Sequence, residues 1–480
     1  MRSKFKITYK FNIIFITKLF IYNILRQTGD IMNAKNVYQL QREKILKNAF
    51  IDKKLRKENI EKLYSIIVQN ESKIKEALSL DLNKSSLESY FSEIGLVLKE
   101  IKFNIKNLNK WTKPFHVSTP SHLALGKSEI QYEPLGQVLI ISPWNYPFYL
   151  SLMPLVSALA AGNRVIIKPS EFSVHTSQLL QELINNNFDP QYAFVADSSL
   201  EVAQELLDYK FDLIHFTGST TVGKIIAKKA SETLTPITLE LGGKCPCVVD
   251  KSQDIIYSAQ KIMAGKLLNA GQTCIAPDYV LIDKNRINAF KAACYVYLEN
   301  VLQNEEYIKG NYPKIINQKH FERLKKYLPK DHKINEKTLQ IMPYIFETSW
   351  NDLIMQEEIF GPLLPIIPYD NLDDLLVKFK SLPKPLAAYL FTKDKKIIKL
   401  FKEQVTSGAL VINDTIMHIA NSNLPFGGVG DSGYGRSHGF EGFKAMSNPK
   451  AIYQRKGFNF KLNEHPYSKK KEFWIKKIIK

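Results

Sequence analysis

Between Val138 and Leu241 the chain repeats one pattern: a short apolar run, a brief connection, then apolar residues spaced three and four apart. The runs are VLIIS (138–142), RVIIK (164–168), YAFV (192–195), DLIHF (212–216) and ITLEL (237–241). Between them lie YLSLMPLVSALAAG, HTSQLLQELINN, LEVAQELLD and VGKIIAKKASE. Continuous apolar runs of this length read as strands covered on both faces. Strands alternating with helices through short connections predict an α/β fold with a parallel, doubly wound sheet. Such sheets bind ligands at the carboxyl ends of their strands. PWNYP, KPSE, TGST and ELGGK all fall at those ends, so they are read as one site.

The flanking segments are less regular. From about Val37 to Leu108 the apolar spacing is helical, with Ser86 or Ser92 as candidate cap of the last helix. Trp111 to Leu135 reads as an extended crossover. After residue 278 the alternation resumes more loosely, with YVLI (279–282) strand-like and INAFKAACYVYLENVLQ helical. Residues 311–350 read as irregular, LDDLLVKFKSL and KKIIKLFKEQV as helices, and GALVIND (408–414) as a buried strand. The Gly-rich stretch LPFGGVGDSGYGRSHG (424–439) reads as a fixed loop without regular structure. No internal repeat is visible. At 480 residues the chain exceeds what one hydrophobic core serves, so two or more domains are expected.

The net charge of +19 raises the question of nucleic acid or an anionic membrane. Residues 1–30 carry six Lys/Arg against one acid, and residues 461–480 carry seven Lys against two Glu. About half of the excess thus sits at the ends, and no basic-aromatic motif accompanies it. The reading is solvated surface plus basic tails, with no nucleic-acid partner and at most weak contact with a membrane surface. Residues 1–31 have a basic start and an apolar stretch, but Lys18 interrupts it and no small-residue cleavage site follows. They read as a disordered or spurious extension ahead of Met32 rather than a signal. Four cysteines, at 245, 247, 274 and 294, form neither a disulfide framework nor a zinc-ligand set. A reduced, cytoplasmic protein is expected.

The side chains at the strand ends are chemically specific. Glu240 and Cys274 stand 34 positions apart, so only a tertiary fold can join them. Together they supply a covalent nucleophile and a base for water. Asn145, stiffened between Pro143 and Pro147, offers an amide to an oxyanion. Gly218, Ser219 and Gly223, between a strand and a helix, suit a phosphate. Lys168 and Glu171 can bond ribose hydroxyls, and Glu358 with Phe360 suits a ribose and a flat heterocycle. Singly, each has a plain alternative, such as a buried thiol, a helix cap or a solvated ion pair.

Jointly, PWNYP, AGNRVIIKPSE, FTGSTTVGK, LELGGK, NAGQTC, EEIFGP and LPFGGVGDSGYGRSHG resemble the NAD(P)-dependent aldehyde dehydrogenase superfamily, from about Asn33 to Tyr453. GQTCIAPDYVL and the short N-terminal helical region resemble its class 3 branch, which includes fatty and aromatic aldehyde enzymes. The resemblance implies two Rossmann-type domains plus a small β bridging and oligomerisation element. It divides the chain into an NAD(P)-binding domain over 32–240, which takes in the N-terminal helices and part of the bridge near 111–135. A catalytic domain over 241–415, a C-terminal loop and bridging segment over 416–460 and a basic tail over 461–480 follow. It implies Cys274 as nucleophile, Glu240 as the base for the deacylating water, and Asn145 with the Cys274 N–H at the oxyanion. Trp144, Lys168, Glu171, Gly218, Ser219, Gly223, Glu358 and Phe360 are implied at NAD or NADP, with Glu358 also a second candidate base. The partners implied are a small aldehyde and a second copy in a homodimer, with no metal. A coenzyme A-acylating or thioesterase-type enzyme, or a non-catalytic cofactor-binding protein, are the rival readings.

Overall fold

The structure, a computed structural model, describes residues 33–480 apart from 121, 122, 124, 125, 305, 306, 456, 458–463 and 480. The extension read at 1–31 lies outside the described residues. Four helices, Ala34–Lys47, Lys53–Gln69, Glu71–Leu82 and Gly95–Trp111, make up most of the N-terminal region. Ser85, rather than Ser86 or Ser92, caps the short helix Ser86–Ser89, its hydroxyl accepting the Glu88 N–H at 3.0 Å. A π-helical turn over Tyr90–Ile94 then leads into Gly95–Trp111. Ser92 lies inside that turn and donates to the Glu88 carbonyl, so it cannot cap.

The predicted crossover at 111–135 holds β1 (Phe115–Val117) and β2 (Gly126–Pro134). The parallel sheet follows as expected: β3 (Gln137–Ile141), β4 (Arg164–Lys168), β5 (Ala193–Val195), β6 (Leu213–Gly218) and β7 (Ile237–Leu241). They lie in the order β7-β6-β3-β4-β5. Side chains alternate between two cores: Val138, Ile140, Val165 and Ile167 pack on one face, and Leu139, Ile166, Ile214 and Leu239 on the other. That two-sided burial is why these strands are apolar throughout. The chain runs from β3 outward to β5, then returns to β6 beside β3, which makes the β3/β6 boundary the switch point where ligands bind. PWNYP and TGST flank it. The helix Pro147–Ala161 is buried along its whole length and stops at Gly162, whose φ of 92° is left-handed.

A second parallel sheet contains β8 (Pro246–Val249) and β9 (Tyr279–Asp283). The stretch 311–350 is less irregular than predicted: it holds a helix, Gln318–Lys325, the small pair β10 (Ile334–Asn335) and β11 (Gln340–Ile341), and β12 (Tyr344–Glu347). With β13 (Leu363–Tyr369), β14 (Ala387–Phe391) and β15 (Ala409–Ile412) the order is β12-β13-β9-β8-β14-β15. The strand predicted as buried at 408–414 is only part-buried, because β15 is the edge strand.

The Gly-rich loop contains β16 (Gly433–Tyr434), which adds antiparallel to β7. The prediction of a loop without regular structure is corrected there, since two residues suffice to hydrogen-bond across a register and carry no periodicity. β17 (Ser447–Arg455) pairs with β2 along its full length, completing a three-stranded sheet with β1. Among the described residues no helix is long and apolar enough to cross a membrane.

Candidate active site

The loop bearing Cys274 begins where the helix Ile255–Leu267 ends. Asn269, Ala270 and Gly271 follow with φ of 52°, 50° and 74°, three successive left-handed residues. A Cβ at Gly271 would stand 2.2 Å from the Gly361 carbonyl oxygen, so only glycine fits. Cys274 is part-buried at the wall of a cavity of about 280 Å³, whereas Cys245, Cys247 and Cys294 are buried. Asn145, after β3, reaches this loop: its Nδ2 donates to the Gln272 carbonyl at 3.0 Å. An amide carries two N–H donors, which leaves one for a ligand. The neighbouring Tyr146 hydroxyl meets Thr273 Oγ1 at 2.6 Å.

Glu240, near the end of β7, is buried, and one carboxylate oxygen has no partner among the described residues. Burial lifts its pKa to about 7, while the Ser437 hydroxyl and the Arg436 charge pull it back. Glu358 is lifted to about 8, first by burial and then by Asp278, against a backbone N–H from Gly243. A Cβ on Gly242 would lie 2.1 Å from Glu358 Oε2, so the glycine lets this carboxylate rest on the ELGGK loop. Burial, then Glu358 and Glu240, raise the Cys274 thiol well above its ordinary range. The fold therefore brings this thiol within the field of both carboxylates. Trp144 and Phe360 meet edge to face at 5.3 Å, and Phe360 takes a left-handed φ of 48°.

Lys168 ends β4 buried, its ammonium 3.0 Å from the part-exposed carboxylate of Glu171, so only the lysine end of the pair is withdrawn from water. Ser219 caps the helix Thr220–Ser231 by accepting the Val222 N–H. A Cβ at Gly218 would lie 2.5 Å from the Phe216 ring, holding the backbone flush there. Thr217 Oγ1, beside it at the switch point, is buried with no partner among the described residues. A buried lysine paired with a part-exposed carboxylate, a helix N-terminus and an orphaned hydroxyl at one sheet end fit a dinucleotide. Gly223 differs from the reading: its N–H is spent on the Ser219 carbonyl at 2.9 Å, and a Cβ would lie 2.7 Å from Leu241. It packs a helix onto β7.

Sequence reasoning missed several residues here. Lys84 and Glu93 form a fully buried ion pair at 2.5 Å beneath Asn145, and Glu93 also accepts the Phe148 and Tyr149 N–H groups. His438 Nε2 meets the Tyr149 hydroxyl at 2.5 Å, and burial lowers that histidine to about 3. In an amphipathic pattern Lys84 and Glu93 look solvated, and only the packing of other elements reveals them.

A thiol within the field of two buried carboxylates, beside a dinucleotide-type switch point, is an arrangement that suits an α/β oxidoreductase. The chain matches the aldehyde dehydrogenase family over residues 41–452 and belongs to it. It is 42% identical over 443 residues to the 4,4'-diaponeurosporen-aldehyde dehydrogenase of Staphylococcus aureus, spanning 89% of this chain and 95% of that one. It is 40% identical to the dimeric NADP-preferring aldehyde dehydrogenase of Mus musculus, spanning 86% and 92%. A substrate-bound Staphylococcus aureus AldH structure superposes with a TM-score of 0.90 at 38% identity, over 94% of this chain and 100% of that one. The α/β architecture with its parallel sheets and the class 3 resemblance stand. The protein oxidises aldehydes to acids with a nicotinamide dinucleotide.

Proposed function

We propose that the substrate is an apolar aldehyde, long-chain or aromatic, and that Cys274 attacks it. The observation that carries this is the cavity at Cys274, whose wall is mostly apolar and includes Phe91, Leu96, Leu150, Ile416, Ile419 and Phe426. Such a wall gains from removing hydrocarbon from water and offers few partners to a polar chain. The Staphylococcus aureus relative is named for 4,4'-diaponeurosporen-aldehyde, which supports the same class.

The Cys274 thiol is too basic to ionise alone at neutral pH, so a neighbouring carboxylate takes its proton as the sulfur adds to the carbonyl. The free N–H of Asn145 and the backbone N–H of Cys274 hold the resulting oxyanion. The bound nicotinamide supplies a hydride acceptor. Loss of hydride leaves a thioester on Cys274. Glu240, poised near pH 7, accepts a proton from water as it attacks that thioester, releasing the acid and the thiol. Glu358 is the second candidate for the first proton.

Lys168 and Glu171 would hold the adenosine ribose, Gly218 and Ser219 the pyrophosphate, and Glu358, Phe360 and Trp144 the nicotinamide end. Gly223 supports that phosphate loop through packing. Glu171 repels a 2′-phosphate, so NAD⁺ is preferred, with NADP⁺ accepted beside Lys168. The domains divide at 240, close to the end of β7 and ahead of β8 in the second sheet, and the β1-β2-β17 sheet joins two copies in a homodimer. Exposed Val117 and Tyr453 on that sheet support the dimer. In the helix Lys469–Ile479, exposed Trp474, Ile478 and Ile479 accompany five lysines, a composition that suits the surface of an anionic bilayer.

The experiment is cofactor reduction by purified protein with short, long and aromatic aldehydes, and with Cys274→Ala as control. Reduction fastest with long or aromatic aldehydes and lost in the variant is expected. Equal turnover of all chain lengths overturns the substrate class, and turnover in Cys274→Ala overturns the nucleophile.

A further inference from the structure

Below the Cys274 loop lies a buried helical arm whose charges the reaction does not use. Glu88, on the short helix capped by Ser85, is buried. Its Oε1 accepts the backbone N–H of Asn269 at 2.7 Å. Asn269 opens the left-handed run Asn269–Gly271 that leads directly to Gln272, Thr273 and Cys274. Non-glycine residues in this conformation persist only where the surroundings hold them. The Asn269 side chain in turn donates to the Asn145 carbonyl at 2.7 Å and the Gln272 carbonyl at 3.2 Å. Lys84, just ahead of the Ser85 cap, donates to the same Asn145 carbonyl at 3.0 Å. It also lies 3.9 Å over the Tyr146 ring, whose hydroxyl meets Thr273. Loops that belong to two different sheets thus hang on one arm.

We propose that Glu88 is a positioning residue: by holding the Asn269 N–H it fixes the left-handed turn, and so sets where the Cys274 thiol stands relative to the Asn145 amide. This rests on the reading of Cys274 as nucleophile. A carboxyl group suits the task because its oxygen accepts a backbone N–H whether or not the group is ionised. Burial raises this carboxyl to about 7, and Lys84 and the Asn269 N–H pull it back only in part.

Three variants test it: Glu88→Ala removes the acceptor, Glu88→Gln keeps one at the same reach, and Glu88→Asp keeps the carboxyl but withdraws it by a methylene. The readouts are the rate of Cys274 alkylation by iodoacetamide, kcat, the KM for cofactor, and thermal unfolding. Alkylation reads the thiol without aldehyde chemistry, and Cys274→Ala gives its baseline. Displacing a reacting group by about 1 Å can cost up to about 100-fold in rate. Alkylation and kcat are therefore expected to fall at least about ten-fold in Glu88→Ala and Glu88→Asp, with KM for cofactor unchanged. Glu88→Gln should stay within about three-fold of the parent. If Glu88→Ala does not fold, Glu88→Asp decides. Unchanged alkylation in a folded Asp or Ala variant overturns the proposal, as does a Gln variant that falls as far as Ala. Failure of the nucleophile reading shows separately, as aldehyde turnover that survives Cys274→Ala.

Discussion

Gly433 stands directly opposite Glu240 in antiparallel register, with a φ of 111° and room for no side chain. A Cβ there would lie 2.0 Å from the Leu239 carbonyl oxygen. The Gly-rich loop therefore braces the strand that carries the proposed base. Gly433→Ala should cost about 1–3 kcal/mol of stability and slow thioester hydrolysis more than hydride loss. Urea unfolding together with burst kinetics checks this. A variant with parental midpoint and parental steady-state rate would contradict the bracing role.

Glu240→Gln should separate from the parent as pH rises. Burial raises the folded-state pKa from 4.5 to about 7, so over that window the folded protein keeps a proton that the unfolded chain releases. Stability owed to this site is whole below the unfolded value and falls as pH climbs to 7, by about 3 kcal/mol on linkage grounds. Glutamine does not ionise. The variant should match the parent in melting temperature near pH 4.5, exceed it at pH 8, and lose acid release at both. Melting curves at the two pH values test the sign.

Gly223→Ala should act on stability before cofactor. The new methyl would press on Leu241 at 2.7 Å, an overpacking expected to cost about 1–3 kcal/mol. Cofactor affinity should fall less than about three-fold, because the Gly223 amide is already bonded within its helix. Calorimetry and a cofactor titration distinguish this from direct phosphate contact, which would weaken affinity in a protein of parental stability.

Glu171→Gln should shift preference toward NADP⁺. Removing the carboxylate leaves the buried Lys168 as the remaining charge of the pair at the proposed ribose site. The ratio of kcat/KM for NADP⁺ over NAD⁺ is expected to rise about ten-fold, one unit charge at moderate dielectric. A ratio that does not move would place the 2′ position elsewhere.

The terminal helix is expected to bind vesicles that contain anionic phospholipid and not neutral ones. Lys476→Glu with Lys477→Glu should abolish binding, and so should about 0.5 M salt, since exposed charges are screened there. Turnover of a short, soluble aldehyde should be unaffected. Sedimentation with liposomes reads the outcome, and equal binding to neutral vesicles would refute the electrostatic account.

The sequence by itself determined the α/β class, because strands buried on both faces must be apolar throughout, and the helices between them show their own spacing. It also singled out Cys274, Glu240, Asn145 and the KPSE and TGST turns as candidates, since reactive side chains beside turns are visible residue by residue. The tertiary structure alone decided what surrounds those groups. Glu240 and Glu358 are raised by burial, and burial is a sum over elements distant in the chain. Lys84, Glu88 and Glu93 look like the wet face of a helix until the Asn145 and Cys274 loops close over them. Gly223 looks like a phosphate glycine until Leu241 arrives beneath it. Patterning sets which face of an element is covered, but the partner that covers it, and the charge left there without water, come only from the packing of the whole chain.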